Sequence, residues 1–193
     1  MRLNGGRYVE EARRGGFIAV GWNELGSLSW MLPLSEKEAK DRLKKIYKQT
    51  WPEDTAISVG LKCNQIFNFV KKMSIGDIVL TPAPDTVLIG EIVSDYYREE
   101  APADTCPYKN RRKVKWLTEV ERAKLPERLK SALYAWQTVF ELTPHADEVE
   151  FLLGKPPVPT EVRVGEEEVL KILKTRLTEL TPRFFQEKLI PSL

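Results

Sequence analysis

The sequence predicts an α+β domain in which helices flank a small, curled antiparallel β-structure. Three observations carry that prediction. Short β-branched runs at Ile78-Val79-Leu80 and Val87-Leu88-Ile89 stand on either side of Pro82-Ala83-Pro84-Asp85, which is the pattern of a hairpin. Gly90 falls inside the second run, where a glycine marks a bulge or the close approach of another backbone, as a sheet needs where it curls to close. Segments with helical periodicity lie before and after these runs.

The elements follow in order. Tyr8 to Arg14 predicts a short helix ended by Gly15-Gly16, and the apolar run Phe17 to Trp22, too short for a helix, predicts the first strand. Ser35-Glu36-Lys37-Glu38 is a capping box, and Ala39, Leu43, Ile46 and Tyr47 supply the apolar stripe of a helix reaching about Gln49. A second helix is predicted over Asn64 to Met73, followed by a turn at Gly76-Asp77. Arg111 to Leu117 reads as a strand whose two-residue period puts Arg112, Val114 and Trp116 on one face and Arg111, Lys113 and Lys115 on the other. Pro126 to Leu133 predicts a helical turn or two, and Trp136 to Leu142 a closing strand.

The pattern changes near His145. Residues 1–145 are read as the main domain and residues 146–193 as a proline-containing linker and a helix. Lys155-Pro156-Pro157-Val158-Pro159-Thr160 favours extended polyproline geometry. From Gly165 to Leu180, Val169, Ile172, Leu173, Leu177 and Leu180 recur at helical spacing behind three glutamates that favour a helix start.

Composition bounds the function. At 193 residues, 42% hydrophobic and 30% charged, the chain has an ordinary soluble balance and room for one sizeable core. No segment approaches the ~18 apolar residues of a membrane span, and the start lacks the apolar core of a signal peptide, so a cytoplasmic location is expected. Cys63 and Cys106 lack CxxC spacing and His145 is the only histidine, which supports neither a disulfide framework nor a zinc site. Both cysteines are read as buried thiols, and no cofactor is expected. Glu38-Ala39-Lys40 has the spacing of a nuclease D/E-x-K pair, but it sits in an amphipathic helix without a partner acid nearby in sequence, so no catalytic residue is assigned.

Net charge is only +2, yet its distribution is uneven: Pro107 to Trp116 holds five Lys or Arg and no acid. A solvated, guarded strand edge is one reading of that run. Interleaving with aromatic residues makes a nucleic-acid surface the other.

Phe17 to Leu142 resembles the EVE or PUA-like domain at the amino-terminal end of Mrr-type, modification-dependent restriction endonucleases. The residues that carry the resemblance are Ala19-Val20-Gly21-Trp22 with Glu24-Leu25-Gly26, the run Asn64 to Val70, Ile75-Gly76-Asp77, Ile89-Gly90-Glu91-Ile92, and Tyr108 with Arg111 to Trp116. Leu177 to Leu189 looks like the segment with which the Mrr-type nuclease domain begins, so the chain reads as a recognition part without its cutter. The resemblance implies a small twisted PUA-like barrel that binds double-stranded DNA carrying a modified, methylated base and targets a nuclease domain or subunit to it. RNA recognition and a protein-interaction module with a filled cavity are the alternatives.

Readers of this class extrude the nucleotide into a pocket with aromatic walls and a few polar groups for the base edge. Trp22 and Asn23 are the first candidates, at the position where the similar YTH readers of methylated adenine place a cage tryptophan and its polar neighbour; a core position is the alternative for Trp22. Tyr108, Tyr96 and Tyr97 flank the loop Arg98 to Pro107 that similar folds use to close the cage. Trp51 precedes Pro52 in a loop, where it suits stacking or caps the preceding helix. Asn64 reads as a base-edge contact or a helix cap. Trp30 is ambiguous, while Trp116 and Trp136 suit the core. Lys109, Arg111, Arg112 and Lys113 are assigned to phosphates.

Overall fold

The computed structural model describes residues 1–154 apart from Arg2, Ala135 and Trp136. The proline-rich linker, the helix expected over Gly165 to Leu180, the nuclease-like segment and Trp136 lie outside the described residues.

The described residues form an α+β structure around a curled antiparallel sheet that makes a half-barrel. Five helices are α1 (Val9–Gly15), α2 (Glu36–Thr50), α3 (Ala56–Phe67), α4 (Glu127–Ala132) and α5 (Ala146–Leu152). Five strands are β1 (Phe17–Val20), β2 (Ile78–Pro82), β3 (Thr86–Ile92), β4 (Tyr97–Arg98) and β5 (Asn110–Glu121), in the order β1-β5-β3-β2 with β4 also on β5. β5 organises the sheet. Its first residues pair with β1, Phe17 opposite Lys113 and Val20 opposite Asn110, and with β4, Tyr97 opposite Arg111. The rest pairs with β3 from Ile92 opposite Val114 to Thr86 opposite Glu121.

The curl has a local cause. The register slips between Ile89 and Gly90, which oppose Thr118 and Trp116, so Leu117 is the extra residue of a bulge. A Cβ on Gly90 would stand 2.5 Å from Val114 Cγ1 and 2.7 Å from Trp116 Cε3, so the strands approach there only because the side chain is a hydrogen. α1 ends as its sequence implies, with Gly16 left-handed at φ 61°. Ser35 and Glu38 complete the capping box of α2, a device that contributes about 1 kcal/mol.

Both faces of the β2–β3 hairpin are covered, which is why those strands read as near-continuous apolar runs. Val79, Leu88 and Ile92 join the main core with Phe17, Ile18, Leu43, Ile66 and Phe69. Leu80, Val87 and Ile89 face a second cluster closed by Leu125, Leu129 and Leu133 near α4 and by Val149 of α5.

Two element boundaries differ from the sequence reading. α3 begins at Ala56, because Thr55 caps it by accepting from the Ser58 N–H and Val59, Cys63, Ile66 and Phe67 form a continuous buried stripe. It then widens into a π turn at Asn68–Lys72. Over Gln137 to Leu142 there is no strand. The Thr138 and Val139 N–H groups both donate to Gln65 Oε1, which takes donors a strand ladder would need, and Val139 packs into the main core. Cys63 and Cys106 are buried thiols, and burial pushes Cys63 up to about 11, as befits an inert group. No helix among the described residues is long and apolar enough to cross a membrane.

Candidate functional site

Trp22 stands just past β1 in the left-handed region, at φ 59° and ψ 38°, the one non-glycine residue with positive φ among the described residues. For a bulky side chain this conformation costs roughly 1–2 kcal/mol, so the surroundings must hold it in place. They do so from two sides. Asn23 Nδ2 donates to the Pro107 carbonyl (2.9 Å), and its Oδ1 accepts from the Lys109 N–H (3.0 Å), which ties the turn to the strand entering β5. Arg98 donates to the Gly26 carbonyl (2.8 Å) and the Asn23 carbonyl (3.3 Å).

Tyr108 completes this corner. Its ring lies where a Cβ on Gly21 would meet it at 3.6 Å, and it stands edge-on to Tyr8 with ring centroids 5.6 Å apart. Trp22, Tyr108 and Tyr8 are each half-buried and packed against the core. Burial pushes the Tyr108 phenol up from its ordinary value. The corner therefore sets the Tyr8–Tyr108 ring pair beside Gly21, next to Trp22, on a backbone pinned by Asn23 and Arg98. Tyr8 and Arg98 were not among the residues singled out from sequence, since their partners lie some 70 to 100 positions away along the chain.

The other proposed wall and edge residues are placed elsewhere. Tyr96 is buried: its hydroxyl accepts from the Leu28 N–H (3.0 Å) and donates to Asn110 Oδ1 (2.8 Å), leaving no face for a base. Asn110 in turn donates to the Gly21 carbonyl, so this network braces the corner from beneath. Tyr97 is half-buried in β4. Trp51 is the C-cap of α2, and its ring packs 4.5 Å from that of Tyr47. Asn64 lies within α3 rather than at its start and lines a different depression of about 550 Å³, with Lys40, Phe67 and Asn68. Trp30 lies under the Arg42 guanidinium at 4.5 Å, and Trp116 is half-buried with Nε1 donating to the Ala12 carbonyl.

The expected phosphate set is corrected in two of its four members. Arg111, expected to face solvent with Lys113 and Lys115, is 3% exposed. Its guanidinium lies 4.0 Å over the Phe17 ring, pairs with Asp104 at 2.6 and 2.9 Å, and donates to the Tyr108 and Cys106 carbonyls. That hydrogen bonding, together with the charge of Arg111, holds the Asp104 carboxyl below its ordinary range. Arg112 is 1% exposed and donates to the carbonyls of Phe69 (2.7 Å), Val70 (2.9 Å) and Ser94 (3.0 Å). Phe69 and Val70 belong to the π turn that ends the α3 segment, where carbonyls lack intrahelical partners and a cation is favoured. Both arginines are thus structural as folded. Lys109 and Lys113 reach the surface, Lys109 paired with Glu100 at 3.4 Å.

Three surface depressions of about 380, 550 and 730 Å³ lie away from the Trp22 corner, and neither Trp22 nor Tyr108 lines any of them. Among the described residues no group of three or more His, Cys, Asp or Glu side chains could hold a metal ion. Residues 3–143 match a family described as a domain of unknown function (DUF8426), and the chain belongs to that family. No curated protein and no solved structure matches it.

Proposed function

We propose that this member of the DUF8426 family is a PUA-like recognition domain that binds duplex DNA carrying a modified base, stacks the extruded base at the Trp22 corner, and delivers a nuclease domain or subunit without cutting DNA itself. The observation that carries the reading is Trp22 at φ 59°. A bulky residue held in a sparsely populated conformation is a feature that clusters at binding sites, where strain serves pre-organisation. The curled half-barrel with flanking helices is compatible with the small barrel that the sequence resembles. The bond pair from Asn23 pins the turn that carries Trp22, a residue only half-buried, as a stacking wall requires.

A protein-interaction module is the second reading, favoured by one observation: both arginines are buried, and the three surface depressions described above lie away from Trp22. One experiment separates the two. Duplexes differing only in 5-methylcytosine, 5-hydroxymethylcytosine or N6-methyladenine, with matching RNA, are titrated against the wild type and Trp22→Ala, and both proteins are melted. The expected result is a preference for one modified DNA in the wild type that Trp22→Ala loses, a change of roughly 1–3 kcal/mol for one stacking wall. A folded Trp22→Ala with unchanged preference removes Trp22 from the site. A wild type that favours RNA, or binds neither nucleic acid, overturns the reading.

A further inference from the structure

With Arg111 and Arg112 turned inward, a nucleic-acid domain needs its backbone contacts elsewhere, and α2 offers them. From Arg42 to Lys48 four of seven residues are cationic and none is acidic. All four cations are exposed, while Ala39, Leu43 and Tyr47 commit the opposite face of the helix to the core. Lys44, Lys45 and Lys48 form one bank of a shallow groove of about 730 Å³, and Val59 and Gly60 of α3 lie across it. No acidic side chain lines that groove. The absence of a side chain at Gly60 is not forced by packing, since a Cβ there would meet nothing within 4 Å; it leaves the far bank low.

The four cations differ in what occupies them. Arg42 lies over Trp30, and Lys48 donates to the Pro52 and Asp54 carbonyls, closing the loop after α2. Lys44 and Lys45 have no ion pair or hydrogen bond among the described residues. Lys48 is the basic residue in the last turn of α2, where a cation complements the helix dipole. Lys44 and Lys45 are exposed cations that no ion pair or hydrogen bond among the described residues engages.

We infer that this face of α2, centred on Lys44 and Lys45, is the surface that follows the phosphodiester backbone of duplex DNA. The inference rests on the proposed DNA-binding function and deepens it. Charge complementarity selects a polyanion. A membrane surface fits less well, because an interfacial helix needs a free apolar face and that of α2 is buried. α2 also packs against the turn Asn23–Leu25 that follows Trp22, so the cationic helix and the proposed base site belong to adjoining elements.

The test uses the full chain and one fluorescent duplex, modified and unmodified, titrated over a salt series with the wild type, Lys44→Gln/Lys45→Gln, the single variant Lys45→Gln, and Lys109→Gln/Lys113→Gln. Removing one lysine that neutralises a phosphate should flatten the log–log salt slope by about 0.9. The expected result is a slope reduced by about 1.8 in the α2 double variant and by about half of that in the single variant. Both duplexes should weaken by the same factor, and the melting temperature should stay unchanged. If the wild type binds DNA and the α2 variants keep its slope, this inference fails while the reading of the Trp22 corner stands. If the wild type binds no duplex, both fail, and binding instead to vesicles of phosphatidylserine and phosphatidylcholine, or to an acidic polypeptide, assigns the surface to that partner.

Discussion

Replacing Arg112 by methionine keeps much of the side chain's length and removes its charge and its donors. Three carbonyls, of Phe69, Val70 and Ser94, then lose the partner that bonds them at 2.7 to 3.0 Å. A buried acceptor left unsatisfied costs roughly 1–3 kcal/mol. Against this stands the desolvation of a guanidinium that has no carboxylate in hydrogen-bonding contact; burial pushes its pKa down, with Asp95 and Asp77 opposing. Three acceptors outweigh that recovery, so Arg112→Met should destabilise the domain by about 3 kcal/mol, which for a chain of this size lowers the melting temperature by ~6–12 °C. Arg112→Lys retains the charge but cannot span three carbonyls, and it should fall between the two. Urea unfolding and thermal melting measure both variants. If Arg112→Met melts within about 2 °C of the wild type yet binds DNA more weakly, the structural role of this arginine is refuted and it returns to the phosphate surface.

Two further predictions concern the sheet and its buried charge. Gly90→Ala places a methyl group within 2.7 Å of Val114 and Trp116 at the bulge, so it should cost about 3 kcal/mol in urea unfolding, and a neutral result would show that the sheet can open there. Asp104, held below the ordinary carboxylate range by its bonds from Arg111, contributes stability that is present above its unfolded value and lost as acid protonates the folded carboxyl. Asp104→Asn should therefore lower neutral-pH stability by about 1 kcal/mol and reduce the acid-side fall of the melting temperature below about pH 4, and an unaltered acid limb would show that Asp104 does not drive it.

What the sequence determined by itself was local. The Ser35 capping box, the Gly16 stop after α1 and the hairpin around Pro82 to Asp85 each depend on residues within a few positions of one another. So does the expectation of a bulge at Gly90, although the atoms that forbid a Cβ there come from β5. The candidate site was half legible: Trp22, Asn23 and Tyr108 stand together because β1 and β5 pair, and the apolar strand ending beside a polar residue hinted at that corner. Tertiary structure alone decided the rest. A two-residue period puts Arg112 and Arg111 on opposite faces of the strand, and the sequence reading assigns both to phosphates, but it could not say that the Arg112 guanidinium would meet carbonyls of a π turn some 40 residues earlier, nor that Asp104 would draw Arg111 inward from the other face. The same holds for Gln65, whose carboxamide takes the backbone donors of Thr138 and Val139 and leaves no strand over Gln137 to Leu142, where the sequence suggested one. Long polar side chains reach past their own element, and the partner that decides whether such a charge lies buried or in water is chosen by the fold rather than by neighbours in sequence.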